Sequence, residues 1–485
     1  MRFRYPAVLA AAAMLFAAFG LPAQAGAGKL KTTLSMVGPQ GGGGEPSIAA
    51  GPGGVLYASW PGDKMYFARS TDGGRTWKEG GQPSGYDTVG DTTVFTDHSG
   101  AVYETNLNVD TPSAPLNSLQ ISTWKSFDKG KTWPQVAGST LNPGNSSGQP
   151  LLVDRQWNDA WIPPGKTTSD AVVALTYHDF GPSQIWVSVS TDGAKTFGVP
   201  VDVITDPAAQ AASFCSTIPG GLRIVPGRAH AGRIYVAWLA ADPTNVLTGC
   251  NVTQLQAFHT VWVAWSDDVG KTWTDQLVYD AGPLHDGSEL FADLAVDNQG
   301  NPYVAFPMNV KDEYDIFVES SLDGGKTWNG RTDGTGVPVQ VNSSTGTHYF
   351  PAIDAGRPGQ VVVSYIATST NVGSTPEGKP NEPLGDADAD WFAYLGQTTN
   401  LGTTPFTNVQ VSPQSIHHGD VCTVGIFCSA LEPLGADRSL LDFIDVVVDS
   451  GGYAHVVFTA AGGKLKDGIY AANQVAGPSV GPAGH

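Results

Sequence analysis

Ser70-Thr71-Asp72-Gly73-Gly74-Arg75-Thr76-Trp77 is an eight-residue string that returns four more times in this chain. The copies are Ser126-Phe127-Asp128-Lys129-Gly130-Lys131-Thr132-Trp133, Ser190-Thr191-Asp192-Gly193-Ala194-Lys195-Thr196-Phe197, Ser266-Asp267-Asp268-Val269-Gly270-Lys271-Thr272-Trp273 and Ser321-Leu322-Asp323-Gly324-Gly325-Lys326-Thr327-Trp328. All obey Ser-x-Asp-x-Gly/Ala-x-Thr-Trp/Phe, the chemistry of a hairpin turn. Ser and Asp side chains hydrogen-bond backbone groups a few residues on and close the loop. Gly supplies the positive φ of a tight turn. The final Trp or Phe buries a large apolar face between strands. Nothing in the string needs a ligand, so Asp72, Asp128, Asp192, Asp268 and Asp323 read as structural.

The strings start at 70, 126, 190, 266 and 321, a blade-sized period. A strand–turn–strand pair precedes each, as in Pro46-Ser47-Ile48-Ala49-Ala50 followed by Val55-Leu56-Tyr57-Ala58-Ser59-Trp60. Two further pairs follow the last string without one of their own: Tyr349–Ile353 with Val361–Tyr365, and Phe443–Val448 with His455–Phe458. The final pair is followed by Gly468–Ala472 and little more chain, whereas Leu30–Val37 is a strand-like segment with no other place. The expectation is an all-β protein: one propeller of seven blades, its ring closed by that N-terminal strand, which removes an exposed edge. Six blades is the alternative, if the C-terminal tail packs as an extra sheet. Gly 60, Pro 34 and Trp 13 fit a turn-rich chain of strands.

Residues 1–25 read as an export signal: Arg2 and Arg4, an apolar run from Ala7 to Gly20, then Ala23-Gln24-Ala25 as cleavage site. Residues 26–485 are then the propeller domain, secreted and without a membrane span, since no later stretch approaches the ~18 apolar residues a span needs. Cleavage takes the formal charge from −19 to −21, a balance that repels nucleic acid, whose binding needs clustered Lys and Arg. No Gly-rich nucleotide loop joins a strand to a helix, so no cofactor is expected beyond the calcium considered below.

The repeated strings are Asp boxes, also called bacterial neuraminidase repeats, and the chain resembles the sialidase-like β-propeller superfamily over most of its mature length. The resemblance implies that each box joins the third and fourth strands of a blade, on the face away from any active site. It also implies that loops entering the inner strands, and loops joining second to third strands, share the opposite, upper face. Cys215 with Cys250 and Cys422 with Cys428 fall in such loops. They are the disulfides this placement implies, out of three pairings open to four cysteines in an oxidising compartment. The insertion ending Gly385-Asp386-Ala387-Asp388-Ala389-Asp390 carries alternate oxygen ligands of the kind calcium takes. Asp386, Asp388 and Asp390 are thus candidate ligands, against the reading as an ordinary acidic loop.

Glu45, Asp91, Asp154, Arg155, Glu289, Asp293, Tyr349, Arg438 and Asp442 enter the same upper face. Carboxylates around a propeller mouth suit acid/base work on sugars. Glu289, Asp293, Asp154, Tyr349 and Asp442 are the expected catalytic set, with Glu289 or Asp293 as acid or base. Arg155 and Arg438 are expected to hold an anionic sugar. Sialidases of the family carry an Arg-Ile-Pro motif entering the first blade, where this chain has Glu45-Pro46-Ser47; the nearest string, Arg223-Ile224-Val225-Pro226, sits in the fourth. The family's sialidases also have six blades. Both departures count against sialidase activity. Three functions stay open: a hydrolase or lyase on another glycan, a noncatalytic glycan- or protein-binding propeller, and a structural envelope protein. In each a monomer is expected.

Overall fold

A computed structural model describes residues 28–483 except 42, 82, 84–87, 110–118, 135–152, 180–183, 215–216, 228, 242–257, 289, 311–312, 373–387 and 423–436. Seven antiparallel sheets are arranged in chain order around one axis. Blade one is Ser47–Gly51, Val55–Trp60, Tyr66–Ser70 and Lys78–Glu79. Blade two contributes Thr88–Thr96, Val102–Val109 and Leu119–Ser126. Blade three is Val153–Trp161, Val172–Asp179, Gln184–Ser190 and Val201–Asp202. Blade four is Thr217–Ile224, Ile234–Ala240, Thr260–Ser266 and Thr274–Asp280. Blade five is Asp293–Val296, Pro302–Met308, Asp315–Ser320 and Val339–Gln340. Blade six is Thr347–Ala355, Val361–Thr368, Asp390–Thr398 and Thr407–Gln410.

Blade seven takes Asp445–Val448, Ala454–Ala460 and Gly468–Ala476 from the end of the chain and Lys31–Gly38 from its start. The closing strand pairs antiparallel with Gly468–Ala476, Leu34 opposite Ala472. Ser35 then locks it to blade one: its hydroxyl donates to Gly74 O at 2.6 Å and accepts from Trp77 Nε1 at 3.1 Å. The expected ring of seven, closed by an N-terminal strand, is the observed one. Among the described residues no helix is long and apolar enough to cross a membrane.

Each blade is covered on both faces by its neighbours, so middle strands lose the polar alternation of a half-exposed sheet. Leu56, Val102, Leu175, Val236, Val304, Val363 and Val456, one from each second strand, are fully buried. The boxes sit between third and fourth strands and make the bonds their chemistry suggests. In blade five Ser321 donates to Asp323 Oδ1 at 2.8 Å and accepts from Gly325 N at 2.8 Å. Asp323 accepts the Thr327 N–H and hydroxyl, both at 2.9 Å. The other four boxes repeat this pattern. Trp328, completely buried, donates from Nε1 to Gly325 O at 3.1 Å.

The innermost strands of consecutive blades neighbour one another in a closed circuit. Each is a sheet edge with N–H groups facing the axis, and buried side chains accept them. Asp159 takes Ala160 N and, across the gap to blade four, Ile224 N. Asp293 joins Leu294 N to Ile353 N of blade six, and Asp354 joins Ala355 N to Val448 N of blade seven. Asp445 joins Val446 N to Ile48 N of blade one, where Ser47 continues the chain by accepting Val94 N. From blade four to five the link is backbone: Gly221 N donates to Ala292 O at 3.1 Å. A side chain at 221 would lie 2.3 Å from Asp293 Oδ1, so glycine is required there.

Asp354→Ala strands two buried N–H groups on adjacent blades. At roughly 1–3 kcal/mol each the expected loss is about 2–6 kcal/mol, measured by denaturant unfolding. Truncating the chain through Gly38 exposes the edge of Gly468–Ala476. Concentration-dependent association in size-exclusion chromatography is the expected result, and an unchanged elution volume contradicts the closing role.

Candidate functional site: the carboxylate mouth of the channel

Four blades that adjoin one another, seven, one, two and three, place Asp442, Glu45, Asp91 and Asp154 at the entries to their inner strands. Glu45 and Asp91 are almost fully buried. Asp442 N–H donates to Glu45 Oε1 at 3.0 Å, and Arg155 N–H to Asp91 Oδ2 at 3.1 Å. Arg438 Nη2 pairs with Asp442 Oδ2 at 2.9 Å; Asp442 Oδ1 is buried and finds no hydrogen-bond donor among the described residues. Gln156 Nε2 donates to Asp91 O at 2.7 Å, tying blade three to blade two directly beneath. The backbone is bent to bring these groups together: Glu45 has φ of 52°, Arg155 43° and Leu441 56°. Left-handed conformations cost a non-glycine residue about 1–2 kcal/mol each, and they cluster where side chains must be aimed.

Crowding sets the protonation of this cluster. Burial, then the charges of Asp91 and Asp442, push the Glu45 carboxyl well above the ordinary carboxylate range. The same three influences, in the same order, raise Asp154. Burial raises Asp442 too, but the Arg438 guanidinium opposes it. The cluster therefore sets two strongly raised acids, Glu45 and Asp154, beside Asp442, whose rise the Arg438 ion pair opposes.

Arg155 floors the mouth. Its guanidinium carbon lies 3.8 Å from the centre of the Trp157 ring and 3.7 Å from Phe443, with Phe291 at 5.5 Å. Beneath it a cavity of about 70 Å³ is lined by Arg223 and by Asp159, Asp293, Asp354 and Asp445. At about 10–15 Å³ of such space per water it has room for several waters. Arg223 Nη1 donates to Leu222 O at 2.9 Å, and its charge faces Asp293 first, then Asp159, Asp354 and Asp445. Burial raises Asp445 to about 6.

The structure thus gathers Asp154, Arg155, Arg438 and Asp442, all expected at the site. It adds Glu45 and Asp91, which lay on the expected face but outside the expected catalytic set; their positions, Glu45 just ahead of its inner strand and Asp91 near the start of its own as Asp154 is, were the available signal. Asp293 lies lower in the ring with both oxygens accepting backbone N–H groups, a placement that gives it a structural role in place of acid/base work. Tyr349 is turned into the layer between blades: its hydroxyl donates to Val372 O at 3.2 Å and its ring stacks on Trp391 at 5.1 Å. Neither arginine is free for an anionic sugar, because Arg155 is enclosed by rings and Arg438 is paired.

Glu289, Asp386, Cys215, Cys250 and Cys428 lie outside the described residues. Cys422 is disulfide-bonded. Asp390 accepts Lys464 Nζ at 2.7 Å and His418 Nδ1 at 3.1 Å, and Asp388 lies 3.7 Å from His418 Nε2. Among the described residues no group of three His, Cys, Asp or Glu is arranged to hold a metal ion.

These shifts predict the pH dependence of folding. A carboxyl raised above its unfolded value stabilises fully below that value and loses the contribution as pH rises through the folded one. For Asp445 that window runs from 3.8 to about 6, and Glu45, Asp154 and Asp442 act in the same direction. The boxes act oppositely: the Thr76 hydroxyl holds Asp72, and the Thr132 and Thr272 N–H groups hold Asp128 and Asp268, down to about 2. Their contribution disappears only in strong acid. The melting temperature is expected to fall as pH rises from about 5 to about 8, and Glu45→Gln to flatten that fall. A rise over this range in scanning calorimetry contradicts the assignment.

No family model matches the sequence. The chain is similar to a protein of unknown function from Dyadobacter fermentans at 14% identity and TM-score 0.45, over 92% of this chain and 99% of that one. It is similar to a polysaccharide lyase, an ulvan lyase of family PL25, at 12% identity and TM-score 0.47, covering 94% and 97%. For the GH74 xyloglucanase from Xanthomonas campestris the values are 14% and 0.47, covering 91% of this chain and 53% of that one. In architecture the chain is a seven-bladed β-propeller whose ring is closed by its N-terminal strand.

Proposed function

We propose that the chain is a secreted glycoside-cleaving propeller whose substrate is an uncharged glycan. The supporting observation is the mouth cluster, where burial and the charges of Asp91 and Asp442 raise Asp154 while Asp442 pairs with Arg438 at 2.9 Å. Glycoside cleavage needs one carboxyl to protonate the leaving oxygen and a second, ionised, to act on the opposite side as base or nucleophile. Asp154 takes the first role and Asp442 the second. Burial, then the charges of Asp91 and Asp442, raise Asp154 and favour its protonated form. Among the described residues an anionic sugar finds Arg438 paired with Asp442 and Arg155 enclosed by rings, and meets several carboxylates, which disfavours uronic and sialic acids.

The test is a panel of neutral, uronic and sialylated oligosaccharides, reading new reducing ends and binding together. Release from a neutral member is expected, slowing as pH rises and Asp154 loses its proton. Asp154→Asn is expected to cut turnover about 10²–10⁴-fold with thermal stability intact. Release of sialic acid or uronate by the wild type overturns the substrate assignment, and undiminished turnover in Asp154→Asn removes that residue. Binding without any release favours the noncatalytic reading.

A further inference from the structure

Arg155 carries its charge into the axis of the ring and sets it between aromatic faces. Only 6% of the residue is exposed. Nη1 donates to Gln156 O at 3.3 Å, while Nε has no hydrogen-bond acceptor among the described residues. The Trp157 and Phe443 rings, 3.8 and 3.7 Å away, keep the guanidinium from swinging onto one carboxylate. It therefore faces acids on two sides at once. Above are Asp91 and Glu45, with Asp154 on its own strand; below are Asp445 and Asp293. Arg438 with Asp442 lies beyond the upper group, and Arg223 with Asp159 and Asp354 beyond the lower. Arginine stays charged even when buried, so this is a permanent charge held away from bulk solvent, where it acts strongly.

We propose that Arg155 is a positioning residue: the fixed counter-charge that sets how many protons the mouth carboxylates hold, and so the pH range over which Asp154 can donate one, without itself touching substrate. This rests on the reading of Asp154 as the proton donor. Its geometry separates it from a merely space-filling plug, since a plug between two rings needs no charge. Asp91 accepts the Arg155 backbone N–H, so side-chain replacement leaves that link in place.

The experiment compares wild type, Arg155→Met and Arg155→Lys by thermal denaturation at about pH 5, 6.5 and 8. Met fills similar space between the rings without charge, and Lys keeps the charge. Removing the cation raises the neighbouring acids further, so the deficit of Arg155→Met is expected to be roughly 1–3 °C larger at high pH than at low. Arg155→Lys is expected to run parallel to wild type. On a cleaved neutral glycan, the alkaline limb of the Arg155→Met rate profile moves up by about one pH unit. A deficit of the same size at every pH overturns the proposal and leaves Arg155 as packing. Should Arg155→Met not fold, a Lys variant whose profile departs from wild type overturns it and one that superimposes supports it. Absence of turnover in the wild type removes the hydrolase reading alone, and the denaturation series still decides the role of Arg155.

Discussion

The peptide N–H groups on the axial edge of each innermost strand need acceptors, and the ring holds together through the side chains that supply them. A sheet edge left open pairs with whatever approaches. Here Asp159, Asp293, Asp354 and Asp445 each accept one N–H from their own strand and one from the next blade. Every such carboxylate satisfies two buried donors and fixes the spacing of two sheets. The cost is a narrow axis crowded with negative charge, and Arg223 lies among those acids to offset it.

That crowding continues upward and becomes chemistry. At the mouth the backbone supplies fewer donors, so Glu45, Asp91, Asp154 and Asp442 share a small volume with only Arg438 and the enclosed Arg155 as cations. Acids in such a place cannot all ionise, and protons divide unequally among them. Burial raises Asp442, but Arg438 beside it opposes that rise; Asp154, facing Asp91 and Asp442, has no comparable relief and is raised well above the ordinary range. Opposed protonation within one cluster is what acid/base cleavage of a glycoside requires.

Much of the fold was legible because it is written locally. A box carries its donors and acceptors within eight residues, so five copies announce five blades without reference to the rest of the chain. The closing strand was legible from a deficit, since the last sheet lacked a fourth strand and Leu30–Val37 lacked a sheet. The site was legible only as a face. Asp154, Arg155, Arg438 and Asp442 were found because strand entries point to the mouth. Asp293 enters a strand in the same way, but its oxygens meet the N–H groups of Leu294 and Ile353. A strand-entry aspartate looks identical in sequence whichever it meets. Tyr349 was misleading for a related reason: a register shift between Tyr349 and Ala352, with Phe350 at φ of 58°, turns its ring toward Trp391 and away from the axis.

The amino-acid sequence by itself determined the repeat, the blade count, the closing strand and the face on which the inner-strand entries open, since each depends on residues close together in the chain or on a simple count of strands. Only the tertiary structure decided which carboxylates share a site and which are absorbed in holding blades together. Asp442 and Glu45 meet across 397 residues of chain. Their protonation follows from distances, burial and competing charges in three dimensions, and no spacing along the chain encodes those.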